Sequence, residues 1–220
     1  MADQNTNEPV RRSDGEQTHT AILEAAMRLA SIEGLGSLTF GRLARELGIT
    51  KSGVFAHFRS RQQLQHATVN AAQQVFDREV LAPGLAAREG VDRVTSLCEA
   101  YLSYIERGVF PGGCFFAQLL AEFDAAEGPI HDQLAVGQRG WLDLLASQIE
   151  AAQQRGALAA DVDPGQLAFE LYAPVELANY LFTLFKDPHI VDHGRKAVHA
   201  AIARATHAER PNNEPAANAD

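Results

Sequence analysis

Basic and polar side chains recur along one short segment at spacings that place them on one side of a helix. Lys51, Ser52 and Phe55 stand at positions i, i+1 and i+4, whereas Val54 and Phe58 fall on the opposite side. Lys51 can donate to guanine O6 and N7 or to a phosphate, and the Ser52 hydroxyl can donate or accept. A polar, basic edge backed by apolar residues suits a helix that enters the major groove of DNA.

Short helices with clear start and stop signals surround this segment. A first helix is predicted over residues 18–33, and Gly34 and Gly36 end it. Thr39 is the predicted cap of a second helix, which stops at Gly48 because glycine permits a left-handed backbone there. Thr50 caps the third helix. A capping box at 60–63 begins a fourth, about 30 Å long, which we expect to end near residue 81, before Pro83-Gly84.

The rest of the chain predicts a large helical domain, so the expected fold class is all-α, with a helix-turn-helix module joined to it by the long fourth helix. Helices are predicted over 91–107, 114–123, 129–155, 164–185 and 189–206. Surplus apolar surface on the last two of these indicates a homodimer formed through them. The predicted organisation is a disordered tail (1–16), the DNA-binding module (17–64), the regulatory and dimerisation domain (65–208) and a second disordered tail (209–220).

Charge is divided unevenly between these parts. The net charge is −9 overall, but residues 17–66 carry +3 and residues 67–210 carry −8, which fits a basic module on an acidic body. With no apolar run of 18 residues and no signal-peptide pattern at the N-terminus, a cytoplasmic protein without a membrane segment is expected. Cys98 and Cys114 are interpreted as small buried side chains, with redox sensing as the alternative.

Catalytic and metal-binding patterns are lacking in the sequence. None of the GxSxG, HExxH or P-loop motifs occurs, so no enzymatic activity and no cofactor are expected. His189 and His193 have metal-ligand spacing but no third ligand, so no metal site is predicted.

A cavity for a small molecule is a further hypothesis for the acidic domain. Aromatic residues there fill either a plain core or a ligand site. Glu176 and Asn179 lie in the most apolar helix, where a polar group needs a partner: a ligand, the other subunit or a neighbouring helix. The candidate lining residues are Tyr101, Tyr104, Phe116, Phe123, Trp141, Tyr172, Glu176, Asn179 and Tyr180.

Two patterns carry a family resemblance. Leu-Thr-x-x-x-Leu-Ala-x-x-Leu-Gly-Ile at 38–49 and Gly-Val-Phe-x-His-Phe-x-Ser-Arg-x-x-Leu at 53–64 resemble the DNA-binding domain of the TetR family of bacterial transcriptional regulators. The resemblance implies a homodimeric repressor that binds a palindromic DNA operator through paired helix-turn-helix modules and is released by a small-molecule effector. It places these residues on the DNA: Thr39, Lys51, Ser52, Gly53, Phe55, His57 and Arg61.

One position departs from the family pattern. The family usually has Tyr, with its hydroxyl on a phosphate, where this chain has Phe55, so apolar contact with a thymine methyl or a sugar replaces that bond. The expected mechanism is a population shift in which ligand binding moves the fourth helix and changes the spacing of the recognition helices. The alternatives are a helical ligand-binding or scaffolding protein that does not engage DNA, and an enzyme that modifies a small molecule.

Overall fold

The computed structural model describes residues 14–207, and every regular element in that range is helical. The predicted all-α class is therefore confirmed. The first helix begins at Asp14, four residues before the predicted start, so residues 14–16 are helical and do not belong to a tail. The remainder of the two predicted tails, 1–13 and 209–220, lies outside the described residues.

Helices occupy most of this range, and their bounds agree with the predicted ones to within one residue for α6 to α10. They are α1 (Asp14–Glu33), α2 (Phe40–Leu47), α3 (Lys51–His57), α4 (Arg61–Phe76), α5 (Ala82–Leu85), α6 (Val91–Glu106), α7 (Phe115–Phe123), α8 (Pro129–Gln154), α9 (Pro164–Phe185) and α10 (His189–His207). A 3₁₀ turn, Leu35–Ser37, follows α1. None of the described helices is long and apolar enough to cross a bilayer.

Side-chain caps set the ends of the short helices, as the sequence predicts. The Thr39 hydroxyl accepts from the Arg42 amide at 3.1 Å, and the Thr50 hydroxyl accepts from the Gly53 amide at 3.0 Å. Ser60 likewise accepts from the Gln63 amide at 3.0 Å. Each cap satisfies an amide that has no partner within its helix, and such a cap contributes about 1 kcal/mol.

The turn between α2 and α3 depends on a left-handed glycine. Gly48 has φ 64° and ψ 26°, which a residue with a Cβ adopts at a cost. The reversal lets the Ile49 amide donate to the Ala44 carbonyl at 3.0 Å, closing the end of α2. This turn orients α3 relative to α2.

The predicted end of the fourth helix at Pro83-Gly84 is wrong, because the chain remains helical through it. A π-helical turn, Asp77–Leu81, joins α4 to α5, and α5 contains Pro83. Proline has no amide proton, and its ring clashes with the carbonyl four residues earlier. A wider turn just before Pro83 accommodates both effects.

Two bodies share these helices. In the first, α1 packs against α2 and α4, around a core that includes Ile22, Leu43, Val54 and Phe58, each at most 1% exposed. In the second, α6, α8, α9 and α10 pack against one another. Helix α7 lies between the two bodies, because it contacts both α1 and α8.

Candidate functional site

The exposed side of α3 has the composition that the sequence predicts. Lys51 and Ser52 are exposed, and the Ser52 hydroxyl lies 3.0 Å from that of Thr50. The Phe55 ring is 52% exposed and stands edge-on to Phe40, with centroids 5.7 Å apart. Lys51, Ser52 and Phe55 therefore form one outward edge, which we call the α3 edge, while Val54 anchors the helix from behind.

Gly53, in the first turn of α3, has no conformational reason to be glycine. It is absent from the residues with positive φ, and a Cβ built there would meet only the Thr50 hydroxyl, at 3.3 Å. Glycine inside a helix costs up to about 1 kcal/mol relative to alanine.

His57 and Arg61 make contacts within the protein. The His57 ring is half-buried and lies 5.7 Å from the ring of His19, which stacks on Phe58. The Arg61 guanidinium donates to the carbonyl of Gly36. Both residues brace α3 and α4 against α1 and its 3₁₀ turn, and their role on DNA stays a prediction.

Some cations of the DNA-binding module are paired with acidic side chains, and others are not. Arg28 pairs with Glu46, and Arg42 pairs with Glu33 at 2.5 Å. The module's other four cations have no ion pair within residues 14–207. Arg61 donates to the Gly36 carbonyl instead, and the remaining three are Arg45, Lys51 and Arg59. Sequence reasoning missed Arg45 and Arg59 as candidate phosphate contacts, because pairing between helices cannot be read from spacing along the chain.

A cavity of about 250 Å³ opens between α4, α6, α7, α8 and α9. Its aromatic wall contains four of the predicted residues, Tyr101, Phe116, Trp141 and Tyr172, together with Phe76, which was not predicted. The rim is polar, with Gln73, Gln133 and Gln138, and no charged side chain belongs to the lining. The combination of apolar walls with a few polar groups is typical of small-molecule sites.

The remaining predicted residues lie elsewhere. Tyr104, Glu176 and Asn179 are not part of the lining. Asn179 Oδ1 accepts from the Cys114 backbone amide at 2.7 Å, so the polar partner of Asn179 is a neighbouring element. Phe123 and Tyr180 do not line the cavity either. Tyr180 is 46% exposed. The sequence could not show this, because α9 is apolar nearly all round and residue spacing alone does not reveal which side of it faces inward.

A hydrogen-bonded network joins the cavity wall to the interior of the domain. The Tyr101 hydroxyl donates to Glu176 Oε1 at 2.9 Å and lies 3.0 Å from Cys114 Sγ. The Tyr172 hydroxyl donates to the same oxygen of Glu176. Burial raises the pKa of the Glu176 carboxyl, although the two tyrosine hydrogen bonds oppose that rise.

Neither cysteine has the environment of a reactive thiol. Cys98 and Cys114 are both buried, and burial raises the pKa of Cys98 to about 12 and that of Cys114 to about 11. Thiol reactivity requires the thiolate, so these values favour the structural interpretation. Among residues 14–207 no group of three or more His, Cys, Asp or Glu side chains could hold a metal ion.

The junction between the two bodies contains contacts that the sequence did not indicate. Glu122, at the end of α7, accepts from the amides of Leu35 at 2.6 Å and Gly36 at 2.7 Å. A Cβ on Gly112 would overlap the Ser31 carbonyl of α1 and come within 3.0 Å of the Ile32 amide. We call these two contacts the α7 joint. Because Phe116 of the same helix lines the cavity, α7 connects the cavity with α1 and the 3₁₀ turn that follows it.

Comparison with known proteins gives the class of the molecule. The family described as bacterial regulatory proteins, tetR family, matches residues 22–68, and the tetracyclin repressor-like C-terminal domain matches residues 90–198. Together these matches span the α1–α4 module and most of the second body.

Similar proteins agree with that assignment. The HTH-type transcriptional regulator SrpR of Pseudomonas putida is 20% identical over 152 residues, covering 69% of this chain and 68% of its own. A TetR transcriptional regulator from Chloroflexus aurantiacus superposes with a TM-score of 0.79 at 24% identity, covering 86% of this chain and 96% of that one. A transcriptional regulator from Saccharomonospora viridis, solved in complex with choline, gives 0.69 at 22% identity, covering 86% and 96%.

The chain belongs to the TetR family of bacterial regulatory proteins. It is a DNA-binding transcriptional regulator in which α2 and α3 are the helix-turn-helix.

Proposed function

We propose that this regulator is a repressor that binds a palindromic operator as a homodimer and is released when a small organic molecule enters the aromatic cavity. Its place of action is the cytoplasm, where bacterial operators lie. The observation that carries the DNA-binding part is the α3 edge, exposed on a rigidly capped helix beside cations that have no acidic partner within residues 14–207.

Lys51, at the first position of α3, is the proposed reader of a base or a phosphate. The cations Arg45 and Arg59 extend the positive charge beside it, and each phosphate that they neutralise adds affinity that salt weakens. Gly53 supports the same role, because the lack of a side chain at this position lets the backbone of α3 approach the groove closely. Phe55 would contact a sugar or a thymine methyl.

Dimerisation is supported by an apolar stripe on α9. Phe169, Leu177, Tyr180 and Leu184 are between 46% and 72% exposed and recur at i, i+8, i+11 and i+15, so they share one side of the helix. An exposed stripe of this kind marks an interaction surface. The apolar side of α10 does not compete for that role, because Val191 and Val198 are fully buried within their own subunit.

The dimer is tested by placing charge in the stripe. Leu177→Glu combined with Leu184→Glu should convert the dimer into monomers in analytical ultracentrifugation, because both carboxylates would be buried without partners. Ala135→Glu, at an exposed position on α8, is the matched control and should leave the dimer intact. A dimer that survives the double substitution would remove α9 from the interface.

Two connections carry the effect of a ligand to α3. The predicted route is α4, which contributes Val69, Gln73 and Phe76 to the cavity and begins directly after α3. The second is the α7 joint. A ligand that displaces either helix changes the spacing of the two recognition helices, which must reach major grooves about 34–36 Å apart.

Genomic selection with purified protein tests the operator. Fragments of the host genome that bind at moderate salt are sequenced, and an inverted repeat shared by them is the expected result. Lys51→Ala should weaken binding to that repeat by about 30-fold or more, since the contact occurs twice in the dimer and each good base contact is worth about 1–3 kcal/mol.

Arg88→Ala is the matched control for that variant. It removes one positive charge from a side chain that is 85% exposed and belongs to the second body, and it should leave operator affinity within about twofold because it meets no phosphate. The scaffolding alternative predicts that no genomic fragment is preferred over random duplex and that both variants behave alike. That result would refute the proposed function.

A further inference from the structure

The chemistry of the cavity restricts the kind of ligand that it can hold. Five aromatic rings line it: Phe76, Tyr101, Phe116, Trp141 and Tyr172. Phe76 lies at the centre of this group, with its ring centroid 5.2 Å from Tyr101, 5.8 Å from Trp141 and 5.9 Å from Phe116. Aromatic faces carry partial negative charge and attract a cation whose centre lies within about 6 Å.

Glu176 adds a buried acidic group directly behind this wall. Two cavity-lining hydroxyls, those of Tyr101 and Tyr172, donate to the same carboxyl oxygen of Glu176. An ionised carboxylate accepts hydrogen bonds only, so two donors on one oxygen suit the ionised form. No Lys, Arg or His forms an ion pair with Glu176 within residues 14–207, in contrast to Glu99, which pairs with Arg195 at 2.9 Å.

The direction of these hydrogen bonds also determines whether the cavity presents hydrogen-bond donors or acceptors to a ligand. Each tyrosine hydroxyl has a single proton, and the donation to Glu176 turns that proton away from the cavity, toward the carboxyl. Two of the lining carboxamide oxygens are already within hydrogen-bond distance of protein groups: Gln138 Oε1 lies 3.0 Å from the Tyr172 hydroxyl, and Gln133 Oε1 lies 3.2 Å from His66 Nδ1. The carboxamide oxygen of Gln73 has no such partner within residues 14–207 and is the acceptor that the lining offers to a ligand. The lining contains no cationic side chain to receive an anion.

From this arrangement we infer that the cavity binds a small organic cation, a quaternary or protonated amine with apolar substituents. Its charge lies against the aromatic faces, and Glu176 is the buried counter-charge acting through the hydroxyls of Tyr101 and Tyr172. The inference rests on the proposed function, in which this cavity is the effector site. A cavity of about 250 Å³ is smaller than the pockets of about 300–1,000 Å³ that hold drug-sized molecules, so the cation is small.

Three probes of one shape and different charge test the ligand class. Choline is the cationic probe. The neutral probe is the alcohol in which a tert-butyl group replaces the trimethylammonium group of choline. The anionic probe is the carboxylate ion of tert-butylacetic acid. Trp141 is the only tryptophan of the chain and lines the cavity, so its fluorescence reports binding, and calorimetry gives the affinity. Choline should bind about 10-fold or more tightly than the alcohol, and the anion should not bind.

Substitution of the acid separates charge from shape. Glu176→Gln keeps the size and an acceptor for the tyrosines, and it should weaken choline binding by about 10-fold while changing the alcohol by less than about twofold. Tyr172→Phe, which removes one hydroxyl and keeps the ring, should weaken choline by a smaller factor. Glu150→Gln, at an exposed position on α8, is the matched control and should change neither.

A stability measurement gives a second readout that needs no ligand. Because burial raises the pKa of the Glu176 carboxyl in the folded protein, ionised Glu176 costs stability at a pH above its unfolded pKa. Glu176→Gln should therefore unfold at a higher temperature than the unsubstituted protein at pH 8, and the difference should shrink as the pH falls. A variant that is less stable at pH 8 would contradict an uncompensated carboxylate.

The outcomes for the ligand and for the regulator are distinguishable. Three results would overturn the inference about the ligand. The first is binding of the neutral or the anionic probe that is as tight as that of choline or tighter. The others are an unchanged choline affinity in Glu176→Gln and no binding of any probe. If the neutral or the anionic probe binds in preference to choline and causes the protein to release the operator, the inferred cationic ligand class is wrong but the repressor proposal stands. If choline binds in a Glu176-dependent way without changing operator affinity, the ligand class stands and the effector role fails.

Discussion

Gly112 lies where the second body meets α1, and a single methyl group there should have a large effect. A Cβ on Gly112 would overlap the carbonyl oxygen of Ser31 and lie 3.0 Å from the Ile32 amide. Both neighbours are backbone atoms inside a 20-residue helix, so neither can rotate away as a flexible side chain would. Gly112→Ala must therefore separate the loop before α7 from α1.

The cost can be estimated from the kind of clash. Overpacking of a well-packed contact costs about 1–3 kcal/mol, and a clash with fixed backbone belongs to the upper part of that range. For a protein of about this size, 1 kcal/mol shifts the Tm by roughly 2–4 °C. Gly112→Ala should accordingly lower the Tm by about 4–12 °C.

Thermal unfolding followed by circular dichroism, at one protomer concentration because dimer stability depends on it, measures this shift. Gly41→Ala is the matched control: Gly41 lies in α2, and a Cβ there meets nothing within 4 Å, so its Tm should stay the same or rise. A Tm for Gly112→Ala within about 2 °C of the unsubstituted protein, under conditions in which Gly41→Ala is not destabilised, would refute the close contact.

Three further predictions concern single side chains. Gly53→Ala should shift the Tm by no more than about 2 °C, because the gain in helix propensity is offset by a tight contact of 3.3 Å between the new Cβ and the Thr50 hydroxyl. It should nevertheless weaken operator binding by about 10-fold in gel-shift titrations, and unchanged binding would exclude close approach at α3. Phe55→Tyr keeps the ring and its apolar contact and should tighten operator binding by about 3- to 10-fold by adding a phosphate hydrogen bond, whereas a weaker complex would show that the added hydroxyl meets no phosphate. Hydrogen bonds from Arg107 and Arg78 lower the pKa of Glu79 in the folded protein. Its ionised form therefore stabilises the fold at a pH above the unfolded pKa, which is near 4.5. That contribution is lost as the pH falls through the lower pKa of the folded state. Glu79→Gln should reduce the Tm by about 1–2 °C at pH 7, and the gap should close in acid; a gap that is constant from pH 7 to pH 4 would contradict the assignment.

Local signals in the sequence predicted the helices well because their ends are determined locally. Thr39, Thr50 and Ser60 each cap a helix at the predicted position, since a cap depends on residues three apart. The same reasoning failed at Pro83, where a π-helical turn keeps the chain helical. Whether a proline ends a helix depends on packing: here Gly84 allows α5 to lie close to Leu97 of α6.

A candidate site could be predicted from the sequence better when its residues lie close together along the chain. The α3 edge lies within one helix, and its exposed residues were all identified. The cavity draws on five helices. Four of its aromatic residues were among the candidates, but Phe76 was missed, and the candidate Tyr180 is 46% exposed and does not belong to the lining. The α7 joint was not predicted at all, because Glu122 is 86 residues from Gly36 along the chain and no spacing rule connects them.

The α7 joint has a consequence for the form of the regulatory response. One carboxylate holds two adjacent amides, those of Leu35 and Gly36, and a rotation of Glu122 that lengthens one bond disturbs the other. The Leu35 amide bonds to Oε2 and the Gly36 amide bonds to Oε1 of that carboxylate, so a movement of the side chain that breaks one bond strains the other. We therefore expect the contact to be either fully made or lost, and graded control of the regulated genes would then come from the fraction of molecules in each state.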